Sequence, residues 1–277
     1  MELVSPKLDV VFKTLFVENP DLLENFVACA LDVNPEEITE FQITNPELPP
    51  ESAEGKFSRL DISLVVNGKL VNIEIQVRKY PDYKDRSLFY WAKLFTSELK
   101  SGEEYGELKQ TITINILDFN LFEERKQYYT EVLPLIKDSG EVFSDKMSLR
   151  FYELKKVDKE NNEGELELWL KFFNAASEED FEMLQNTGTP AVKKAVNVIY
   201  NMSADDRIRE QARLREKALH DEASALKGAR EEGILIGEAR GEAKGRREGE
   251  ARGRKNLMDQ LLSAGIITPE QAKQFAN

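Results

Sequence analysis

The feature that most constrains the fold is a predicted β-hairpin, RLDISLVVNGKLVNIEIQV, over residues 59–77. Asn67 and Gly68 lie between two runs that alternate apolar and polar residues. A type I′ turn needs positive φ at both of its central residues, and Asn-Gly is the sequence that best provides it. With this two-residue loop Val66 pairs with Lys69, so the numbers of directly opposite residues sum to 135. The turn therefore fixes which side chains share a face of the hairpin.

The register divides the hairpin into an apolar face, predicted to enter the core, and a polar face. On the polar face Asp61 is predicted to lie opposite Glu74, with Cβ atoms about 5 Å apart, and Arg59 opposite Gln76. The apolar face consists of Leu60, Ile62, Leu64, Val71, Ile73, Ile75 and Val77, and the polar face of Arg59, Asp61, Ser63, Asn72, Glu74 and Gln76.

The predicted pairing of Asp61 with Glu74 needs an explanation, because like charges directly opposite each other are destabilising. A divalent cation takes hard oxygen ligands and would reconcile the two carboxylates. The pair therefore favours a metal site. The alternative is a solvated polar face that carries two acidic residues without a function.

Composition argues against several classes of site. The 277 residues include one histidine, His220, and one cysteine, Cys29, which lies in an apolar helical run and is interpreted as a core residue. A catalytic triad, a histidine-rich metal site and a disulfide framework are therefore disfavoured. The net charge of -13 argues against a generic polyanion binder, although a metal and a few basic residues can set a local field. With no secretory signal or membrane-spanning run, we expect a cytoplasmic protein.

The periodicity of the chain predicts an α/β domain over residues 1–189, with a mixed sheet flanked by helices, and a helical extension over 190–277. The helix over 82–101 is apolar on much of its surface and is predicted to be deeply packed. Helices are predicted to begin at Pro6 and Pro20 and to cover 82–101, 123–138, 164–174 and 178–186, with strands at 37–44, 110–119 and 147–157 beside the hairpin.

The extension is predicted to hold a long charged helix and a terminal helical hairpin, with Gly265 ending one helix and Thr268 capping the next. Glycines recur every four residues from Gly233 to Gly253. Residues 227–255 hold nine basic and six acidic residues, a local charge of +3. Two interpretations stay open: a solvated charged helix, or a helix that self-associates or follows nucleic acid.

Taken together, several blocks resemble the PD-(D/E)XK nuclease superfamily, and more closely the Rpn family of recombination-promoting nucleases, often described as transposases. These blocks are LDVVFKTLF (8–16), LDISLVVNGKLVNIEIQV (60–77), RSLFYWAKLF (86–95), SGEEYGEL (101–108) and TITINILDF (111–119). The resemblance implies a restriction-endonuclease-like fold and a metal-dependent endonuclease whose partner is DNA. It implies that Asp61 and Glu74 bind Mg²⁺, with Mn²⁺ as the alternative ion.

The same resemblance assigns Gln76 to the catalytic position that the superfamily fills with lysine. Because glutamine is neutral, a positive charge would have to come from Arg59, Lys79 or Arg86. Further candidates for a metal, phosphate or supporting contact are Asp9 (with Glu24 as the alternative acid), Lys13, Arg86 and Tyr90. Their structural alternatives are an exposed turn of the first helix and, for Tyr90, a place in the core.

Two other functions stay open beside the metal-dependent DNA endonuclease linked to recombination or mobile elements. One is a catalytically weak nuclease-like module that binds DNA or a protein partner and forms a homo-oligomer through its C-terminal helix. The other is a scaffold that assembles through the same helix and binds no divalent metal. The neutral Gln76 and the acidic net charge motivate the first of these.

Overall fold

A six-stranded mixed sheet flanked by helices forms the centre of the fold. The computed structural model describes residues 3–44, 62–97, 99, 102–158, 164–268 and 272. The strands are β1 (Phe41–Thr44), β2 (Ile62–Val66), β3 (Lys69–Gln76), β4 (Thr111–Leu117), β5 (Tyr129–Val132) and β6 (Met147–Glu153). The helices are α1 (Asp9–Glu18), α2 (Pro20–Leu31), α3 (Tyr83–Ser97), α4 (Glu165–Asn174), α5 (Glu178–Thr187), α6 (Pro190–Ala204) and α7 (Asp206–Ser263). The predicted α/β class, restriction-endonuclease-like mixed sheet and long charged C-terminal helix are confirmed.

The strand order is β1-β2-β3-β4-β6-β5, with the three central strands β3, β4 and β6 parallel and the outer strands antiparallel to their neighbours. The predicted hairpin register is confirmed over its described part, since Val66 pairs with Lys69 and Ile62 with Ile73. Asn67 and Gly68 have φ values of 47° and 72°, as a type I′ turn requires.

One layer of helices packs around a cluster of aromatic side chains. Helices α1, α2, α4 and α6 contact one another, and α1 also contacts β3. Their shared apolar core contains the fully buried rings of Phe12, Phe16, Phe26, Trp169, Phe172 and Phe173. Alternate apolar residues of the sheet, such as Ile73 and Ile114, are buried as well. Burial of this surface is the main term that favours the folded domain.

Helix α3 packs against β4 and β6 and runs antiparallel to β4. The hydroxyl of Tyr83, at the start of α3, donates to Asn115 Oδ1 at 3.1 Å, and Trp91 Nε1 donates to the carbonyl of Thr111 at 2.9 Å. The prediction that this helix is deeply packed is wrong, because Leu88 and Phe89 stay 47% and 49% exposed. Only the side of α3 that faces β4 and β6 is buried, and there Tyr83 packs in an apolar cluster with Leu149 and Phe151.

The prediction of a helix over residues 123–138 is wrong. This region instead contains β5, which pairs antiparallel with β6, and an isolated bridge between Leu135 and Val142. Glu131 of β5 accepts a hydrogen bond from Ser148 Oγ at 2.6 Å and forms an ion pair with Arg150 at 3.2 Å. These partners lie far along the chain, so they are invisible to a local periodicity argument.

The contacts divide the chain into two compact units, Met1–Glu216 and Lys217–Asn277. Helix α6 packs against α5, α2, α4 and α1, and Ser203 at its end accepts a hydrogen bond from the Val4 N–H at 3.0 Å. Ile208 and Ala212 in the first turns of α7 are also buried. The first compact unit therefore ends at Glu216, within α7, and the predicted domain boundary at residue 189 stays a prediction.

The second unit consists of the remaining part of α7 and the residues after it. The glycine repeat lies within continuous helix, and a Cβ at any of its glycines would find open space within the described chain. Gly265 adopts a φ of 68° just after the helix ends, as predicted, and the predicted helix after Thr268 lies largely outside the described residues. Among the described helices, none has the length and apolarity needed to cross a membrane.

Candidate functional site

Polar side chains on β2, β3 and β4 are buried, and α3 packs against β4 and β6. Ser63, Asn72, Glu74, Thr113 and Asn115 are each less than 9% exposed, and Glu74 keeps 7% of its surface accessible. A row of buried polar side chains costs free energy unless its members are hydrogen-bonded or bind something. Ser63, Asn72 and Glu74 are therefore not solvated, which argues against the solvated-face alternative for these three residues.

Strand alternation and strand pairing line up these polar residues. In the parallel pairing of β3 with β4, Asn72 aligns with Thr113, and Glu74 aligns with Asn115. Ser63 Oγ donates to Asn72 Oδ1 at 3.2 Å, and Asn72 Nδ2 lies 3.4 Å from Glu74 Oε1. Asn115 Nδ2 donates to Thr113 Oγ1 at 3.2 Å. Asn72, which Ser63 of β2 holds, thus orients the Glu74 carboxylate, while Thr113 and Asn115 bond to each other on β4.

Arg86 and Tyr90 lie one turn apart on α3, and their side chains are neighbours. The guanidinium carbon of Arg86 lies 5.1 Å from the centroid of the Tyr90 ring. Burial raises the pKa of Tyr90; the positive charge of Arg86 opposes this shift, and the negative charge of Glu74 adds to it. Tyr90 therefore lies near enough to both charges to sense them.

Gln76 lies at the end of β3, two residues beyond Glu74, and is half-buried. Its carbonyl accepts a hydrogen bond from the Asp118 N–H at 2.9 Å, at the point where β4 ends. Asp61 and Arg59 lie outside the described residues. Their predicted places opposite Glu74 and Gln76 stay predictions, although the register holds as far as Ile62.

The remaining candidates have other surroundings. Asp9, the first residue of α1, accepts a hydrogen bond from Arg215 Nε at 2.8 Å. It also forms an ion pair with Arg215 Nη2 at 2.8 Å. Lys13 lies one turn further along α1 and is half-buried. Lys79 pairs with Glu123 at 2.6 Å on the surface. The carboxylate of Asp9 and the ammonium group of Lys79 are thus engaged in ion pairs of their own.

The chemistry of the site fits a divalent cation with hard oxygen ligands. Across the described ranges, no three His, Cys, Asp or Glu side chains form a group that could hold a metal. The site nevertheless offers the buried Glu74 carboxylate and the side-chain amide of Gln76, and Mg²⁺ and Mn²⁺ accept such oxygens. A bound cation would also offset the cost of burying the carboxylate.

The site residues predicted from the sequence did not include Thr113, Asn115 and Tyr83. The first two were visible as the polar positions of TITINIL, where threonine and asparagine alternate with isoleucine. That alternation predicts a strand with one polar face. Tyr83 had no comparable signal, because its role depends on α3 crossing β4 so that its hydroxyl meets Asn115.

The half-buried thiol of Cys29 is not a candidate nucleophile. Burial, reinforced by the negative charge of Glu165, raises the pKa of its thiol to about 12. Because the thiolate is the reactive form, we expect iodoacetamide at pH 8 to alkylate Cys29 at least about 100-fold more slowly in the folded protein than in urea. Glutathione in the same tube reports reagent activity. Equal rates in the two states would contradict the assignment.

Comparison with known proteins adds a family to this geometry. A family model described as PD-(D/E)XK nuclease family transposase matches residues 6–229. No curated protein and no solved structure matches the chain. The matched range includes the hairpin, the polar face and the helix that carries Arg86 and Tyr90.

Proposed function

Because the chain belongs to the PD-(D/E)XK nuclease family of transposases, we propose that it is a metal-dependent DNA endonuclease that hydrolyses phosphodiester bonds. Its activity would serve DNA recombination or mobile elements. The observation that supports this proposal is the Glu74 carboxylate, which is only 7% exposed and shares its environment with Arg86 and Tyr90. A buried acid in a polar cluster of this kind is a feature of functional sites.

In this proposal Glu74 and Asp61 would hold Mg²⁺ or Mn²⁺. When bound, the ion would polarise the scissile phosphate and lower the pKa of a coordinated water. The amide of Asn72, 3.4 Å from Glu74 Oε1, orients the carboxylate. Gln76 can only donate or accept hydrogen bonds, so its contribution is positioning. Because the Glu74 side chain is only 7% exposed, its charge interactions are stronger than they would be in water.

A second candidate function is a nuclease-like module with weak or no catalysis that binds DNA or a protein partner. The neutral Gln76 favours this candidate, because the site then has no positive charge at the position that the superfamily fills with lysine. In this version the C-terminal helix would form a homo-oligomer, and the exposed Leu226, Ile234 and Leu235 on α7 offer apolar surface for that contact.

Nicking of supercoiled plasmid separates the two functions. We expect the wild-type protein to nick plasmid with Mg²⁺ or Mn²⁺ and to stop when EDTA is added, because the water has to be activated by a metal. The Asp61→Ala variant, purified in the same way, controls for contaminating nucleases and should not nick. Binding of DNA by both proteins without any cleavage would support the module instead. Equal cleavage by both would contradict the proposed site.

A further inference from the structure

In the proposed nuclease site, the position on β3 that the superfamily fills with lysine is occupied by Gln76, which is neutral. A phosphodiester that approaches Glu74 brings negative charge to a carboxylate in a protein with a net charge of -13. Some cation near the site has to compensate this repulsion. Of the three candidates that the sequence offers, Arg59 lies outside the described residues, which leaves Lys79 and Arg86 for comparison.

Lys79 is poorly suited to this role. Its ammonium group forms an ion pair with Glu123 at 2.6 Å, and the two side chains are 44% and 73% exposed. A phosphate would have to compete with Glu123 for the ammonium group, and water and salt screen a charge at such a position.

Arg86 is held in place by aromatic rings, and one of them, Tyr90, senses the charge of Glu74. Its guanidinium carbon lies 5.5 Å from the ring centroid of Tyr80 and 5.1 Å from that of Tyr90. Such contacts are attractive for a cation and reduce the freedom of the long side chain. The group is therefore fixed before a ligand arrives.

One donor of this guanidinium is unused. Arg86 Nε is buried and has no hydrogen-bond partner within the part of the chain that the structure describes. A buried donor without an acceptor is unfavourable, so an oxygen supplied by a ligand would recover the missing bond. The direction of α3 puts this donor on the correct side of the sheet, since Tyr83, three residues earlier, contacts Asn115 beside Glu74.

We propose that Arg86, fixed by Tyr80 and Tyr90, binds an oxygen of the scissile DNA phosphate and supplies the positive charge that Gln76 cannot. This inference rests on the proposed function. The planar guanidinium offers several donors in a fixed arrangement that matches a phosphate, whereas a lysine would act as a point charge. Arg86 would thus both bind substrate and stabilise the charge that develops during hydrolysis.

Two measurements on matched variants test the role of Arg86. Arg86→Ala and Arg86→Lys are compared with Lys79→Ala, which removes the same charge from the surface pair. The first measurement is the nicking rate at saturating plasmid. The second is the affinity for a fluorescent DNA duplex in EDTA over a range of salt, which does not depend on catalysis. Thermal melting verifies that each variant is folded.

We expect Arg86→Ala to lower the nicking rate about 100-fold or more, as removal of one donor to a transition state does. Arg86→Lys should recover part of this loss. In EDTA, Arg86→Ala should also reduce the slope of log affinity against log salt by about one phosphate contact. Lys79→Ala should change the rate less than about threefold, because an exposed paired charge contributes little.

The possible outcomes separate this inference from the proposed function. If the wild type nicks DNA, and Arg86→Ala nicks and binds like Lys79→Ala, the role of Arg86 is wrong and the nuclease stands. If the wild type does not nick but Arg86→Ala still weakens binding with a smaller salt slope, the phosphate contact stands and the nuclease is wrong. A wild type that neither nicks nor binds DNA overturns both.

Discussion

Replacing Glu74 with glutamine is expected to lower the rate of plasmid nicking at least about 1,000-fold, because the substitution removes the charge that we propose binds the metal. Residues that only support a metal ligand cost about 10- to 100-fold when they are changed, so a ligand itself should cost more. Glutamine keeps the shape of the side chain, so the buried polar row should stay packed. The measurement is the initial rate of conversion from supercoiled to nicked plasmid in Mg²⁺.

The control for Glu74→Gln is Glu182→Gln, which removes the same charge from an exposed position on α5. This control should cleave at the wild-type rate, and both variants should melt within a few degrees of the wild type. Thermal melting in increasing Mg²⁺ adds a second readout, since an ion that binds the folded state raises its stability. Stabilisation by Mg²⁺ should disappear in Glu74→Gln. Undiminished nicking by Glu74→Gln would exclude Glu74 as a metal ligand.

Replacing Trp169 with alanine is expected to lower the free energy of unfolding by about 3–5 kcal/mol, through lost burial and a cavity in the core. Trp169 is fully buried on α4, where its ring lies 5.8 Å from the centroids of Phe16 and Phe26. Its Nε1 donates to Asn25 Oδ1 at 2.8 Å, so the substitution also leaves that acceptor unpaired. The unfolding midpoint in urea, followed by circular dichroism, measures the change.

Tyr105→Ala is the matched control for the aromatic core, because this ring is 82% exposed. We expect its effect on the free energy of unfolding to stay within about 0.5 kcal/mol. If Trp169→Ala were as mild as this control, the cluster between α1, α2 and α4 would not be the main source of stability.

The hairpin was predictable because its information is local. Asn67 and Gly68 fix a turn, the turn fixes the register, and the register places Glu74 on the polar face. Likewise, the spacing of Arg86 and Tyr90 by one helical turn put them on one side of α3, where the guanidinium lies beside the Tyr90 ring. Their joint approach to the site stays a prediction. Each of these steps uses contacts between residues that are near neighbours in the chain.

The predictions that were wrong concern elements whose partners lie far along the chain. Tyr129 to Val132 form a strand because β6 offers an open edge, not because of their own periodicity. The packing of α3 could not be predicted either, since this helix contacts β4 and β6, which lie later in the chain. For the same reason the place of Asn115 beside Glu74 follows from parallel pairing, which no turn residue announces.

The outer strands of the sheet, β1 and β5, have four residues each, whereas the central strands are longer. An outer strand exposes backbone groups on which a second chain can add a strand, and short outer strands limit this template for aggregation. The segment TITINIL, with high β-propensity and no charge or proline, is of the type that forms cross-β fibrils. Because every residue of this strand is buried, the hazard of fibril formation belongs to the unfolded chain rather than to the folded domain.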